Sequence, residues 1–385
     1  MLKKKKYSYF YKFVRDYYNT NDYIPLHAPI FNDKEENFLV EAVKSTYVSS
    51  VGKFVNEFEN LVSEYTDSPD CIAVVNGTAA LHIALLLANV EANDIVITQA
   101  FTFIATCNAI RYCNAEPVFI DIDTDTLSIS PIALENWLEA NAKINSNGVC
   151  VTKDGEKTIK ACVPVHIFGH PAKIEELTFI CKKWNIVLVE DASESLGSFY
   201  KNKHTGTFGF IGVLSFNGNK IITTGGGGMI MASGSVAKDA KHITTTAKRP
   251  HPYEFDHDRI GFNYRMPNIN AALGCAQIQK IELFVQQKRN LAELYRDLYK
   301  NRSIRFFQEP IHCRSNYWLN TLIFEESNER DEMLRETNAQ GIMTRPPWKL
   351  MNELPMYKEC KHDGLLNSIS LQKRIINVPS SVRIK

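Results

Sequence analysis

One lysine of the chain stands in a setting that suits chemistry. Lys220 lies within residues 215–228, which read SFNGNKIITTGGGG, between an apolar segment at 211–216 and a run of four glycines. Glycines adopt backbone angles that other residues avoid, and they let the backbone approach a ligand closely. The pattern therefore predicts that Lys220 is held in a cleft.

An acidic residue precedes this lysine at the end of a predicted strand. Residues 186–195 read IVLVEDASES, an apolar run that stops abruptly at acidic and hydroxyl residues. Such runs are typical of strands buried on both faces of a parallel sheet, where ligands gather at the carboxyl ends. Asp191 is thus expected where ligands bind. An aspartate followed by a lysine suits pyridoxal phosphate, because the lysine forms the Schiff base and the acid keeps the pyridinium nitrogen protonated.

A segment further upstream predicts a site for the cofactor phosphate. Residues 74–87 read VVNGTAALHIALLL, a strand end followed by a glycine turn and an apolar helix. That order places backbone amides and the Thr78 hydroxyl at a helix N-terminus, which attracts phosphate. Most such turns are only structural, so this interpretation depends on Asp191 and Lys220 downstream.

The elements that must position these residues alternate along the chain. Apolar strands are predicted at 94–98, 117–123 and 161–166, with helices from 131 and over 174–185. This alternation predicts an α/β fold with a mostly parallel sheet and helices on both faces. A length of 385 residues suits one large domain and a smaller one.

Composition argues against several classes of protein. A net charge of +1 gives no field that would attract nucleic acid or a membrane surface. No apolar run reaches the length of a membrane span, and the charged start lacks the apolar core of a signal peptide. The nine cysteines form no CxxC pair and the ten histidines no HExxH motif. We expect a cytoplasmic protein with free thiols and no metal site.

With these motifs in hand, the chain resembles the DegT/DnrJ/EryC1/StrS family, whose members are sugar aminotransferases of the aspartate aminotransferase fold, fold type I. The resemblance runs from about Tyr23 to Ser381, and IPLHAPIF, TYVSSVGKFV, VNGTAALHIAL and SFNGNKIITTGGGGM are most similar to its LegC-like branch. It implies a large cofactor-binding domain at 31–265 and a smaller α+β C-terminal domain at 266–385. The aromatic residues 1–30 are expected to form an extension that packs on the body.

The resemblance implies a set of cofactor-binding residues. They are Gly77, Thr78, Ala79, Phe103, Asp191, Glu194, Ser215, Lys220 and Asn263. In the family's pattern, Phe103 stacks on the cofactor ring, Glu194 lies near its phenolic oxygen and Ser215 binds phosphate. Asn263, within GFNYRMPNINAALGCAQI, matches a phosphate contact from the neighbouring subunit. A homodimer with shared active sites is therefore expected. Without the resemblance, Phe103 reads as a core residue and Ser215 as a strand end.

Three further residues are substrate candidates. His166 follows a predicted strand, Tyr264 adjoins Asn263, and Arg345 lies in GIMTRPPW, which resembles the family's loop near the substrate. A satisfied structural histidine is an equally good interpretation of His166. A surface or interface role is the alternative for Tyr264.

The resemblance implies transfer of an amino group from L-glutamate to a nucleotide-linked 4-keto-6-deoxy sugar. The LegC-like likeness implies a UDP-linked N-acetylhexosamine, on a path to bacillosamine or legionaminic acid and so to surface glycans such as lipopolysaccharide. GDP-linked and 3-keto sugars stay open. Relatives that deoxygenate sugars carry histidine in place of the lysine, so Lys220 argues against that activity. A binding or regulatory module would not need Thr78, Asp191, Ser215, Lys220 and Asn263 together.

Overall fold

The computed structural model describes residues 6–383. The helices are α1 (Ser8–Tyr18), α2 (Asp33–Lys44), α3 (Lys53–Thr66), α4 (Gly77–Leu87), α5 (Ile104–Tyr112), α6 (Pro131–Asn141), α7 (Ile174–Lys183), α8 (Gly234–Thr244), α9 (Asn268–Ile278), α10 (Ile281–Tyr299), α11 (Ser327–Ala339) and α12 (Leu366–Gln372). The strands are β1 (Asp70–Val74), β2 (Ile95–Gln99), β3 (Glu116–Ile120), β4 (Ala142–Ile144), β5 (Cys150–Thr152), β6 (Ile159–Val163), β7 (Val187–Asp191), β8 (Phe199–Tyr200), β9 (Lys203–His204), β10 (Ile211–Ser215), β11 (Gly228–Ala232), β12 (Arg305–Phe306), β13 (Cys313–Arg314), β14 (Asn320–Ile323) and β15 (Ile375–Val378).

A seven-stranded sheet forms the centre of the molecule, in the order β1-β11-β10-β7-β6-β2-β3. Its strands are parallel except β11, which runs antiparallel to both β1 and β10. The carboxyl ends of β1, β10 and β7 therefore lie along one edge. The predicted α/β class with a mostly parallel sheet is confirmed.

Apolar residues on both faces explain why these strands are central. On one face, Leu214 and Met229 pack with α3 and α9, while on the other Val213 and Ile230 pack with α4 and α8. Successive strand residues point to opposite faces, so a strand without polar positions must be covered twice. The helices supply that cover.

Two predicted strands end earlier than their apolar runs. The strand predicted at 161–166 ends at Val163, because Pro164 has no amide to donate to a neighbouring strand. The strand predicted at 117–123 ends at Ile120, and the next residue, Asp121, accepts hydrogen bonds from the amides of Asn367 and Ser368. At Asp121 tertiary contacts thus replace sheet pairing, whereas Val165 still forms an isolated parallel bridge with Asp191 beyond the end of β6.

A second, smaller sheet lies towards the C-terminus. It is antiparallel, in the order β12-β14-β15, and it packs with α10 and α11. Helix α1 covers this part: Phe10 and Val14 are buried in the same core as Tyr295. The boundary drawn from the sequence between 265 and 266 precedes α9, which packs on α2 and α3 beside the large sheet. The domain division stays a prediction.

The structure also shows how the chain stands with respect to membrane spans, metal sites and disulfide bonds. No helix within residues 6–383 is long and apolar enough to cross a membrane. The same residues contain no group of three or more side chains placed to hold a metal ion. All nine cysteines are free thiols, and seven of them are buried.

The first prediction concerns Gly228, at the start of β11. A Cβ atom there would lie 2.5 Å from the main-chain carbon of Asn76 and 2.7 Å from the amide of Gly77. We expect Gly228→Ala to lower the free energy of unfolding by about 1–3 kcal/mol, because the sheet must move to admit the methyl group. Urea denaturation measures this. In the control, Gly218→Ala, the nearest atom is 4.0 Å away and little change is expected. Equal losses in the two variants would contradict the steric argument.

Candidate active site

A cleft of about 300 Å³ opens at the carboxyl ends of β1, β7 and β10. Seven of the sequence-predicted cofactor residues line it: Gly77, Thr78, Phe103, Asp191, Glu194, Ser215 and Lys220. The remaining lining residues are Asn76, Leu81, Thr102, Ala105, Thr106, Val165, Ser193, Asn217, Asn219, Trp318 and Trp348. The sheet topology thus brings together residues that are far apart in the sequence.

The amine of Lys220 is sheltered within this cleft. Its side chain is 13% exposed, and Nζ lies 3.7 Å from Glu194 Oε1. On another side, Nζ lies 4.0 Å from the centre of the Trp318 ring. Burial lowers the pKa of Lys220, although the charges of Glu194 and Asp191 oppose that effect. A lowered pKa favours the neutral amine, which is the nucleophilic form.

The carboxylate of Asp191 is held at both oxygens. Oδ2 accepts a hydrogen bond of 2.7 Å from the Thr106 hydroxyl, and Oδ1 accepts one of 3.1 Å from the Ser193 amide. Asp191 is buried at the end of β7, where the strand's apolar residues fix its main chain. Its carboxyl group is therefore held in one orientation deep in the cleft, where it suits a pyridinium nitrogen.

The turn between β1 and α4 offers free donors to a phosphate. Asn76 caps α4: its Oδ1 accepts the Ala79 amide at 2.7 Å, and its carbonyl accepts the Ala80 amide. The amides of Gly77 and Thr78 have no partner within residues 6–383. Two donors at a helix N-terminus therefore face the cleft.

The serine at the end of β10 narrows this donor site from the other side. A Cβ atom at Gly77 would lie 2.9 Å from the Cβ of Ser215 and 3.4 Å from Oγ of Ser193. Only a glycine leaves room between these side chains. The hydroxyls of Ser215 and Ser193 both line the cleft and add donors for an anion.

The Ala79 amide takes part in the helix cap. It donates to Asn76 Oδ1, and the Ala79 side chain does not line the cleft. The contact of Ala79 with phosphate stays a prediction, and Asn76 is the residue that orders the turn. The signal for Asn76 was present in the sequence, because asparagine before an apolar helix is typical of an N-cap.

Glu194 is a buried acid beside Lys220. Its Oε2 accepts a hydrogen bond of 2.7 Å from the Phe168 amide. Burial raises the pKa of Glu194 to about 7, even though the Lys220 charge lowers it. Glu194 can therefore hold or release a proton beside the lysine near neutral pH.

Two aromatic residues line one side of the cleft: Phe103, which the sequence predicted, and Trp348, which it did not. Phe103 is half exposed at the opening, and the centre of its ring lies 6.0 Å from that of Trp348. Trp348 also packs against Phe168, with ring centres 5.3 Å apart. These rings form an apolar surface over the polar floor, which suits an aromatic cofactor and limits water.

His166 does not line the cleft. Its side chain is fully buried: Nε2 lies 3.1 Å from Glu190 Oε2, and Nδ1 accepts the amide of Ala172. Both ring nitrogens are engaged within the protein, so the expected substrate contact is corrected. The alternative interpretation of a structural histidine fits.

Two further substrate candidates also lie outside the cleft of their own chain. The Tyr264 ring stacks on Phe262, and its hydroxyl lies 3.5 Å from Nδ1 of His82. Arg345 pairs through its backbone with Asn377, and its side chain is exposed. Neither side chain reaches a substrate in this cleft. Asn263 is likewise exposed and outside it.

Comparison with known proteins identifies the family of this chain. The sequence model of the DegT/DnrJ/EryC1/StrS aminotransferase family matches residues 29–385. The chain belongs to this family. The expected family, fold type I and pyridoxal phosphate as the cofactor are confirmed for this aminotransferase.

Individual members of the DegT/DnrJ/EryC1/StrS family are similar over most of the chain. EpsN of Bacillus subtilis (strain 168), provisionally named a pyridoxal phosphate-dependent aminotransferase, is 37% identical over 87% of this chain and 84% of its own. A GDP-perosamine synthase of Escherichia coli O157:H7 is 35% identical over 93% of each chain. The crystal structure of a DegT DnrJ EryC1 StrS aminotransferase from Brucella abortus covers 90% of each chain at 27% identity, with a TM-score of 0.82.

The described residues fit pyridoxal phosphate. The free amides of Gly77 and Thr78 with the Ser215 hydroxyl suit its phosphate, Asp191 suits its ring nitrogen, and Lys220 suits its aldehyde. When bound, the cofactor supplies an electron sink for negative charge formed beside the reacting amino group.

The second prediction tests the cap of the phosphate turn. Asn76→Ala leaves the Ala79 amide without its acceptor, so the first turn of α4 should loosen. We expect a loss of about 1 kcal/mol in stability and a rise of roughly fivefold in the cofactor Kd. Ser130→Ala is the control, because Ser130 caps α6 in the same way, through the Ala133 amide. It should lower stability and leave the cofactor Kd unchanged; equal effects on Kd would contradict the assignment.

The third prediction uses the raised pKa of Glu194. In the folded protein that pKa is about 7, against an ordinary value of 4.5, so the unfolded chain loses its proton first as the pH rises. Glu194 therefore destabilises the fold progressively between these pH values and fully above them. Glu194→Gln lacks this penalty. Its stability relative to wild type should rise by about 3 kcal/mol across that window, measured by urea denaturation of cofactor-free protein. A difference that is independent of pH would contradict the proposed burial effect.

Proposed function

We propose that this aminotransferase moves an amino group from L-glutamate to a nucleotide-linked 4-keto-6-deoxy sugar. The observation that carries the proposal is Lys220, a sheltered amine within reach of an acid, in a cleft that fits pyridoxal phosphate. Support for a sugar substrate comes from a relative named GDP-perosamine synthase, which is similar over 93% of the chain. The site residues named here are part of this proposal.

Each residue has a distinct task in this reaction. Lys220 would hold the cofactor through its aldehyde, and its amine would move a proton at the reacting carbon. Asp191 would face the ring nitrogen of the cofactor, keep a proton there and stabilise the charge that develops during the proton transfer. The Glu194 carboxylate lies 3.7 Å from the Lys220 amine, so a proton would pass between them through one bridging water or after a small movement of either side chain. Phe103 covers the opening and excludes water.

Two sugar carriers follow from different observations. The sequence likeness to the LegC-like branch favours a UDP-linked N-acetylhexosamine, and with it a role in bacillosamine or legionaminic acid formation for surface glycans. The relative named GDP-perosamine synthase favours a GDP-linked sugar. We place the UDP-linked substrate first and make the carrier an outcome of the assay below.

The proposed active protein is a homodimer with shared sites. Asn263 is exposed, and it lies outside the cleft of its own chain. Exposed apolar residues accompany it in the preceding loop, where Tyr253, Phe255 and Ile260 are each more than four-fifths exposed. A neighbouring subunit would cover these side chains and receive Asn263 at its phosphate site.

A single-turnover assay tests the function. The cofactor-loaded protein is converted with glutamate to the amine form of the cofactor and then mixed with UDP- or GDP-linked 4-keto-6-deoxy sugars while its absorption is followed. Return of the original band with one series alone supports the proposal and identifies the carrier. No response to glutamate, or none to either sugar series, would contradict it.

The fourth prediction concerns the lysine itself. Lys220→Ala should retain the cleft, because the alanine removes no packing from the sheet, while losing both the covalent attachment and the proton carrier. The rate of amino transfer should fall by at least about 100-fold. The rate is measured in the same single-turnover assay, with Lys203→Ala, an exposed lysine on β9, as the control. A variant at position 220 with near wild-type rates would exclude Lys220 from the chemistry.

A further inference from the structure

Trp318 forms the wall of the cleft against which the Lys220 amine rests. It was not expected from the sequence, because it lies in the smaller C-terminal part, just before β14. The centre of its ring is 4.0 Å from Lys220 Nζ. Its Nε1 donates a hydrogen bond of 2.6 Å to the carbonyl of Asn219, the residue before the lysine. One side chain therefore contacts both the amine and the main chain that carries it.

The tryptophan is itself fixed by buried groups. Its amide donates to Asn316 Oδ1 at 2.7 Å, and its carbonyl accepts a hydrogen bond of 3.1 Å from Lys288 Nζ. Lys288 is fully buried on α10 and donates a second bond of 2.6 Å to the carbonyl of Ser380. Burying a lysine amine is unfavourable, and its hydrogen bonds to these two backbone carbonyls offset part of that cost. The position of the Trp318 ring is thus closely determined.

We propose that Trp318 is a positioning residue for Lys220, which fixes the lysine's main chain through the indole N–H and favours the protonated amine through the face of the ring. A cation is attracted to an indole face at this distance, and more strongly where water is excluded. The proposal rests on the proposed function only in that Lys220 carries the cofactor.

The other charged and titratable groups around the amine are few. The charges of Glu194 and Asp191, on the side of β7, raise the pKa of Lys220 and so favour its protonated form. His27 lies close to Asn219. Its two ring nitrogens are buried without a hydrogen-bond partner among residues 6–383. Burial, together with the charge of Lys288, lowers the pKa of His27 well below the ordinary value. His27 is therefore neutral. The face of the Trp318 ring carries no charge, and it favours the protonated amine of Lys220 together with Glu194 and Asp191.

The fifth prediction tests this role in the holoenzyme. The bound cofactor changes colour as the nitrogen that links it to Lys220 gains or loses a proton, so absorption against pH gives a midpoint without any substrate. Trp318→Leu removes the ring face and the indole N–H, and its midpoint should fall by about one pH unit. Trp318→Phe keeps a weaker ring face and should fall by less. Trp184→Phe, at the end of α7 and outside the cleft, is the matched control and should leave the midpoint unchanged.

Reduction with borohydride followed by peptide mapping locates the attached cofactor in each variant. An unchanged midpoint in both Trp318 variants, with attachment still at Lys220, would overturn the proposal and leave Trp318 a purely structural role. Wild-type protein in which the cofactor is not attached to Lys220 would overturn this proposal and the assignment of Lys220 together. A shifted midpoint with failure of every sugar substrate would support the positioning role while contradicting the proposed substrate.

Discussion

The close passage of β11 between β1 and β10 is the constraint on which the cleft depends. Gly228 pairs with Val74 on one side and with Ser215 on the other, at the ends of both strands. Because Gly228 has no side chain, the turn that follows β1 can pass directly over it. The phosphate donors of that turn and the serine of β10 consequently converge on one point.

The electrostatics of the cleft depend on the same convergence. β7 pairs with β10 so that Asp191 lies opposite Val213, two residues before Ser215. The acid end and the phosphate end of the site are therefore set by strand register, and neither depends on a flexible loop. Between them, burial brings the lysine and Glu194 towards similar proton affinities, since the pKa of the lysine is lowered and that of Glu194 raised.

Site residues at the edge of the large sheet can be predicted from the sequence, whereas site residues from the C-terminal part cannot. Lys220, Asp191 and Thr78 each follow an apolar strand, so local pattern together with the rule for parallel sheets places them in one cleft. Trp318 has no such signal. Only the packing of the C-terminal part against the lysine loop brings Trp318 to the amine. For Ala79, the spacing of the turn does not reveal that the Asn76 cap already uses its amide.

Two adjacent acids on β7 show why residue type alone did not separate structure from chemistry. Glu190 and Asp191 follow one another, and successive strand residues point to opposite sides. Glu190 is fully buried, and although burial would raise its pKa, His166 and the amides of Gly209 and Gly206 lower it overall. Its carboxylate is thereby saturated with donors and holds the 206–209 turn against the strand. Asp191 keeps a face towards the cleft, since its donors are one hydroxyl and one amide. Glu190 and His166 fix the end of the strand, and that fixed end keeps the carboxylate of Asp191 facing the cleft.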